Sequence, residues 1–123
     1  MKGTAERAHC KYVNDYITKD MKSSILKIVT LSMIKRDNYY PYKLLQDIKK
    51  VGPKFIVNQD IKNNIYNTLQ ALENSGYIKA HYVIEDSRQK KYYKITKSGI
   101  GALNRTRIMM NRAFKEAMKI FDD

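Results

Sequence analysis

The sequence is poor in the residues that cross-link small proteins or interrupt their helices. Its 123 residues include one cysteine, two prolines, five glycines and no tryptophan. Because Cys10 has no second cysteine to pair with, no disulfide can form within the chain, which is typical of a reducing compartment. The longest apolar stretch, Ile25 to Ile34, is too short to span a bilayer and carries Lys27. Residues 1–16 hold no apolar core before a small-residue cleavage site, so we expect a cytoplasmic protein without a signal peptide.

Acidic residues are also scarce, and this sets the charge of the chain. Twelve Asp and Glu stand against 24 Lys and Arg, which gives a formal net charge of +12. At this length the chain is one domain, and its charge points to a polyanionic partner: DNA, RNA or an anionic membrane face. A basic proteome or simple solubility would produce the same charge. Six of the basic residues cluster within one short segment: Lys79, Arg88, Lys90, Lys91, Lys94 and Lys97.

Hydrophobic periodicity predicts the order of the elements. Helices are expected over residues 4–17, 23 or 24 to 35, 41–51 and 60–74, strands over 77–84 and 90–96, and a last helix over 97–121. Pro41 suits the start of the third helix and Gly52-Pro53 its end, residues 85–89 form the predicted hairpin turn, and Thr96 can cap the last helix. This order predicts an α+β, mostly helical fold: a winged helix-turn-helix with a two-stranded basic wing and a long C-terminal helix. We divide it into an N-terminal helical extension (1–21), a winged-helix DNA-binding domain (22–96) and a C-terminal dimerisation helix (97–123).

The fourth predicted helix has one apolar face and one amide-rich face. Its core side is marked by apolar residues at helical spacing: Ile61, Ile65, Leu69 and Leu72. Its opposite face carries Asn63, Tyr66, Asn67 and Gln70, with Lys62 at the edge. A solvated face favours charged helix formers, whereas Asn and Gln pair with adenine at about 1–3 kcal/mol of discrimination each. We therefore predict that this helix reads DNA bases, the alternative being a surface of amides without a partner.

The predicted hairpin carries basic residues near its tip. Arg88, Lys90 and Lys91 can follow phosphates or enter the minor groove, which gives an affinity that falls with salt. Lysines also protect an exposed strand edge from aggregation, and both roles can hold together. Including the start of the third helix, the predicted DNA contacts are Tyr42, Lys43, Lys62, Asn63, Asn64, Tyr66, Asn67, Gln70, Arg88, Lys90 and Lys91.

The last predicted helix is too long to bury its apolar stripe against so small a domain, so we expect a partner helix. A homodimer through this helix would set two reading helices about 34 Å apart on a palindromic site. The predicted interface residues are Ile100, Leu103, Arg107, Met110, Phe114, Ala117 and Phe121. Arg107 interrupts the stripe and is expected to pair with Glu116 or with an acidic group across the dimer. Met109, Met110 and Met118 suit an adaptable interface or a ligand cavity, and plain packing is the preferred interpretation.

The sequence offers little chemistry for catalysis or metal binding. His9 and Cys10 are adjacent, which is poor ligand spacing, and His81 lies alone on a predicted strand. A nucleophilic pair of Cys10 and His81 would lack a third group. Redox sensing by Cys10, which lies among basic residues, is a minor alternative. We expect no enzyme activity, no metal and no cofactor.

Three segments resemble the PadR-like family of winged-helix transcriptional regulators. Tyr40-Pro41-Tyr42 is similar to the family's Tyr-Gly-Tyr at the start of the second helix. Residues 64–78 (NIYNTLQALENSGYI) are similar to its recognition helix, and residues 91–99 (KYYKITKSG) match its second wing strand, Tyr-Tyr-x-Leu-Thr-x-x-Gly. The resemblance spans about 75 residues, 25–99, in the expected order, and it is greatest to the short form with one C-terminal helix.

The resemblance implies a homodimeric regulator, usually a repressor, whose C-terminal helix forms the dimer. Some members release DNA when an aromatic or drug-like molecule binds between subunits, and a small hydrophobic effector is left open here. A clamp built on Trp is excluded, because the chain has none. Asn63, Asn67 and Pro41 stand where the family usually has Gly, Pro and Gly, which affects the base contacts more than the fold.

Two classes of function follow from these features. The leading prediction is a sequence-specific DNA-binding transcriptional regulator whose partners are double-stranded DNA and a second copy of the chain, without a membrane. The alternative is a winged-helix module without a specific operator: a non-specific architectural nucleic-acid binder, an RNA binder or a protein-docking module. The amides discriminate between them, because a non-specific binder would carry Lys and Arg on the fourth helix and a docking module would carry exposed apolar residues there.

Overall fold

The computed structural model describes residues 17–122, which form four helices and one antiparallel hairpin. The elements in chain order are α1 (Lys19–Arg36), α2 (Pro41–Val51), α3 (Ile61–Asn74), β1 (Ile78–Glu85), β2 (Arg88–Ile95) and α4 (Lys97–Asp122). This order confirms the predicted winged helix-turn-helix. The helix predicted over residues 4–17, with His9 and Cys10, lies outside the described residues except for Ile17. No helix within residues 17–122 is long and apolar enough to cross a membrane.

The first described helix begins at Lys19, earlier than the predicted start at Ser23 or Ser24. Both serines lie inside the helix and neither caps it. The residues before them are compatible with helix, and Asp20 in the first turn interacts favourably with the positive end of the helix dipole. Lys19 and Lys22, which precede the predicted start of this helix, therefore both belong to α1.

The core lies where α1, α2, α3 and the base of the hairpin meet. Its most deeply buried side chains are Leu44, Ile48, Ile65, Leu69 and Ile78. Burying one such side chain stabilises the fold by about 1.5–3 kcal/mol. Thr30 of α1 is also fully buried among them, and its hydroxyl has no hydrogen-bond partner among residues 17–122.

Helix α2, the third helix of the prediction, begins at Pro41 and ends before Gly52, as predicted. Pro41 occupies the first turn, where a missing N–H costs nothing. The N–H of Gly52 donates to the Ile48 carbonyl at 2.8 Å, and a side chain at this glycine would strike the same carbonyl. Gly52 is extended, with φ −70° and ψ 155°, because Pro53 disfavours the helical region for the residue before it. In the loop that follows, Ile56 is buried in the core.

The hairpin turn is tighter than predicted. Asp86 and Ser87 alone form it, and both have positive φ (50° and 62°), which is typical of a two-residue type I′ turn. Glu85 and Arg88, expected in the turn, instead pair opposite each other as the last step of the ladder. The sequence signal was missed because Asp-Ser lacks the glycine that usually marks such turns.

A short bridge adds Tyr39 to the sheet. The N–H of Tyr93 donates to the Tyr39 carbonyl at 2.8 Å, and the N–H of Tyr39 donates back at 3.4 Å. The segment between α1 and α2 therefore runs beside β2, which is held on both of its edges near Tyr93.

The last helix is anchored at its first turn and then leaves the domain. Thr96 Oγ1 accepts from the Gly99 N–H at 3.0 Å and donates to the Gly76 carbonyl at 2.7 Å, so Thr96 caps the helix as predicted. A side chain at Gly99 would strike the Tyr77 carbonyl. Leu103 is the last buried residue, and each described residue after it is exposed or half-buried.

Candidate nucleic-acid interface

The outward face of α3 is the polar surface that the sequence predicts. Five predicted contact residues are exposed there: Lys62, Asn63, Tyr66, Asn67 and Gln70. The helix is fixed from behind, because Ile65 and Leu69 are at most 1% exposed. Gln70 Nε2 donates to Asn74 Oδ1 at 3.2 Å, which restricts both side chains. The face therefore offers amide donors and acceptors from a rigid helix.

Asn64 lies on a flank of α3 rather than on its exposed face. It is half-buried and borders a groove between α3 and α1. At about 100° per residue, Asn64 and Glu73 are about 180° apart around the helix. Glu73 lies towards the hairpin, so the exposed face of α3 is bounded by α1 on one side and by the wing on the other.

Lys90 and Lys91 lie on opposite faces of the hairpin. Neighbouring residues of a strand alternate between faces. Lys91 Nζ lies 3.6 Å from Glu73 Oε1 of α3, whereas Lys90 Nζ lies 3.3 Å from Glu85 Oε2 of β1. The prediction that both lysines share one basic tip with Arg88 is therefore wrong, because only Arg88 adjoins the two-residue turn. Arg88 is exposed, and the two lysines lie along the stem of the wing.

Each of these lysines also lies over an aromatic ring. Lys90 Nζ is 4.7 Å from the centre of the Tyr40 ring, and Lys91 Nζ is 5.2 Å from that of Tyr93. The Tyr93 side chain, more than Glu73, raises the pKa of Lys91, so this ammonium is fully charged at neutral pH. Ion pairs this exposed contribute only about 0–1 kcal/mol. The lysines can therefore exchange a carboxylate for a phosphate at little cost.

Tyr92 braces the wing on the face that carries Lys90. Its hydroxyl donates to Glu85 Oε1 at 2.8 Å, which raises the pKa of Tyr92 to about 12 and lowers the pKa of Glu85. Its ring meets Tyr40 edge-on at 5.3 Å and stacks with His81 at 5.8 Å. His81 is thus a packing residue of the wing. Among residues 17–122, no three His, Cys, Asp or Glu side chains are grouped so as to hold a metal ion.

The start of α2 is tied to the hairpin through Tyr39. The Tyr39 hydroxyl donates to Asp47 Oδ2 at 2.9 Å, and burial, with Asp47, raises the pKa of this tyrosine. Lys43 Nζ lies 5.5 Å from the centre of the same ring, while Tyr42 is exposed beside it. The predicted contacts Tyr42 and Lys43 therefore keep a fixed position relative to the wing.

A basic groove between α1 and α3 was not predicted from the sequence. The groove has a volume of about 780 Å³, and three lysines of α1 line it: Lys19, Lys22 and Lys27. Asn63, Asn64 and Asn67 are among the α3 residues that line the other side. The helical spacing of the lysines would have revealed this surface, but the predicted helix began after the first two of them.

Beyond Leu103, α4 exposes most of the predicted dimer stripe. Arg107, Phe114, Ala117 and Phe121 are exposed, and Ile100 and Met110 are half-buried. Leu103 is instead 2% exposed and lies in the core of its own chain, because the first two turns of α4 pack on the domain. Arg107 forms no ion pair with Glu116, which lies about 14 Å further along the helix at about 1.5 Å per residue. Met109 and Met118, which the sequence offered for an adaptable interface or a ligand cavity, are exposed, and so are Ile108 and Ile120, which it did not single out.

Comparison with known proteins places this arrangement in a family. The model of the Transcriptional regulator PadR-like family matches residues 30–105. A PadR family transcriptional regulator from Eggerthella lenta is 20% identical with a TM-score of 0.76, covering 94% of this chain and 96% of that one. A PadR-like transcriptional regulator from Bacillus cereus is 20% identical with a TM-score of 0.67, covering 85% of this chain and 98% of that one. A PadR family transcription regulator from Clostridium difficile is also 20% identical with a TM-score of 0.63, covering 80% of this chain and 98% of that one. None of the curated proteins matches the sequence.

The similarity to solved structures shows a shared fold, and the match to the family model shows the family. It covers more than half of the chain and includes α2, α3, the hairpin and the anchored start of α4. These are the elements that present the amide face and the wing. The chain therefore belongs to the PadR-like family of transcriptional regulators, and it is a DNA-binding regulator rather than an enzyme.

Proposed function

We propose that the chain is a cytoplasmic, homodimeric repressor that binds a palindromic operator by sequence. The observation that carries the proposal is the amide-rich face of α3, exposed on a helix that the core holds rigidly. The major groove of B-DNA is about 12 Å wide and admits such a helix. Asn63, Asn67 and Gln70 bond to base edges there, and amides suit adenine best.

The remaining contacts in the proposal go to the DNA backbone. Lys62 and Tyr66 lie at the edge of the amide face, where phosphates and sugars border the groove. Arg88 at the wing tip and the two stem lysines bind phosphates, and Tyr42 and Lys43 do so from the start of α2. Backbone contacts set the register of the protein on DNA without carrying sequence information.

The homodimer is supported by the outer half of α4. Arg107, Met110, Phe114 and Phe121 follow one another at three- to four-residue spacing or its multiples and continue from the buried Leu103. The stripe is therefore an extension of the core surface beyond the domain, with no cover within the described chain. A second copy related by a two-fold axis covers it best, and this symmetry makes the operator palindromic, with half-sites about 34 Å apart.

The proposal assigns any hydrophobic effector to the dimer interface. The groove beside α3 places three lysines and four asparagines beside the apolar Leu26, Ile56 and Ala71, so it suits a polar or anionic ligand better than an apolar one. Met110 and Met118 lie on or beside the α4 stripe, where flexible thioether side chains adapt to a partner helix or to a ligand. Packing between the two helices is their preferred role.

Selection of fragmented source genomic DNA by the purified protein tests the proposed function. At about 0.15 M salt, loose phosphate binding is weakened, and we expect enrichment of one or a few loci that share a palindrome. Uniform recovery of all fragments, abolished as salt is added, would instead support a non-specific architectural protein. A stable monomer by light scattering at micromolar concentration would contradict the dimer.

A further inference from the structure

The two flanks of α3 are each covered by a different element. Glu73 faces the hairpin, because its carboxylate lies 3.6 Å from Lys91 Nζ. Asn64, Thr68 and Ala71 face the other way and line the groove against α1. The wing and α1 therefore stand on opposite sides of the amide face, about 180° apart around the helix axis at about 100° per residue.

The wall that α1 contributes to this groove is basic. Lys22 Nζ lies 5.4 Å from the centre of the Phe55 ring, whereas Lys19 and Lys27 are exposed. Neither exposed lysine takes part in an ion pair with another described residue. Asp60, just before α3, is the acidic side chain among the described residues that line the groove. Three cations against one carboxylate favour a polyanion at this site.

We propose that the lysines of α1 bind the DNA strand that borders the major groove on the side away from the wing. The inference rests on the proposed function, in which α3 enters that groove. A helix with its side chains is about 10–12 Å across and the groove is about 12 Å wide, so a seated α3 brings both phosphate backbones to its flanks.

The contacts from α1 complete a clamp around the reading helix. The wing binds one backbone, and Lys19 and Lys27 bind the other, so α3 is held from both sides. Lysine binds phosphate as a point charge and carries no base preference. The α1 lysines therefore fix the depth and register of α3 and leave the choice of bases to its amides.

Single and double substitutions of the exposed lysines test this interaction. Lys19→Ala and Lys27→Ala are expected to weaken binding to the selected fragment and to random DNA alike. The slope of log K against log salt is negative, and removing one lysine–phosphate pair reduces its magnitude by about 0.9. The magnitude for the double variant is therefore smaller by about 1.8. Fluorescence anisotropy titrations between about 0.05 and 0.2 M salt measure both quantities. Lys115→Ala removes an exposed lysine on the outer half of α4 and is the matched control, with an unchanged slope.

Asp60→Asn tests the same groove with the opposite sign. The change removes the negative charge and keeps a residue that is favoured before a helix. We expect a severalfold increase in affinity for both DNAs, because the phosphate then meets no repelling carboxylate. An unchanged or lower affinity would contradict a phosphate in this groove.

The outcomes separate this inference from the proposed function. If the wild type binds a palindromic fragment and the Lys19 and Lys27 variants behave like Lys115→Ala, the α1 interaction is wrong and the role of α3 stands. If the wild type binds no DNA, the proposed function fails, and the α1 interaction fails with it. Circular dichroism verifies that each variant is folded, and Lys19→Gln and Lys27→Gln replace any alanine variant that is not.

Discussion

The amide face of α3 and the outer half of α4 are both exposed helical surfaces, but different forces keep them in place. The far side of α3 is sealed in the core, with Ile65 fully buried, so one chain is enough to hold it. The outer half of α4 has no such support, and Phe121 at its end is 84% exposed. Amides are stable in water and can bind a partner with hydrogen-bonding edges, whereas exposed apolar side chains favour another apolar surface. The two helices are thus suited to the two different partners that we propose, DNA and a second copy of the chain.

The largest expected effect comes from removing the support of α3. Ile65→Ala is expected to lower the free energy of unfolding by about 2–5 kcal/mol, because it leaves a cavity behind the reading face. Ile120→Ala, at a site that is 78% exposed, should stay within about 0.5 kcal/mol. Urea denaturation of both variants measures the difference. Similar losses for the two would mean that the outer half of α4 is packed as firmly as α3.

A charge on the α4 stripe is expected to separate the subunits. Phe114→Glu places a carboxylate in the proposed apolar interface, at a cost of about 2–4 kcal/mol, so the dimer Kd rises about 30- to 1,000-fold. Light scattering across a concentration series measures the Kd. Arg112→Glu, on the opposite side of the helix, is the control and should leave the dimer intact. Dissociation by both variants, or by neither, would refute the assigned face.

An amide removed from α3 should affect sequence preference without affecting assembly. Asn67→Ala is expected to weaken binding to the selected fragment by about 1–3 kcal/mol, or about 5- to 150-fold, and to leave random DNA nearly unchanged. Competition binding with the two DNAs measures this selectivity, and Asn111→Ala on α4 serves as the control. An equal loss of affinity for both DNAs would mean that Asn67 contacts the DNA backbone and not the bases.

The lysines of the wing stem should show the reverse pattern. Lys90→Ala and Lys91→Ala are each expected to weaken binding to both DNAs and to lower the salt slope by about one unit. Because the two lysines lie on opposite faces of the hairpin, a drop for one variant alone would identify the face that meets the phosphates. If neither variant changed the salt slope, Arg88 would be the wing residue that contacts the phosphates.

The smallest expected effect is a pH dependence within the wing. The hydrogen bond from Tyr92, with a further contribution from Lys90, holds the pKa of Glu85 below its ordinary value. Its stabilisation is therefore present above the unfolded pKa, about 4.3, and is lost as the pH falls through the lower folded pKa. The difference in Tm between wild type and Glu85→Gln should shrink as the pH is lowered from about 6 to about 3. A difference that is constant over this range would mean that folding leaves the pKa of Glu85 unchanged, and it would contradict stabilisation of this carboxylate by Tyr92 and Lys90.

The fold could be predicted because local signals agree with it. Pro41 and Gly52-Pro53 bound α2, and the apolar spacing of α3 locates both its core side and its amide face. Thr96 is a predicted cap of the last helix, and its two hydrogen bonds confirm this. Each of these signals depends on residues that are near one another in the chain.

What the sequence did not reveal depends on contacts between distant segments. The bridge of Tyr39 to Tyr93 and the ion pair of Lys91 with Glu73 join residues with no shared local pattern. The groove beside α1 was missed for a related reason, since the predicted helix began at Ser23 or Ser24 although the helix extends back to Lys19. Chain-local patterns located the reading face, but they could not show which elements flank it.

The central claim is that α3 selects DNA by sequence while the surrounding lysines supply affinity. The most direct test is the ratio of the affinities of the wild-type protein for its selected genomic fragment and for random DNA at about 0.15 M salt. The account predicts a ratio of about 10³ or more, as for other specific regulators. A ratio near one at this salt concentration would contradict it.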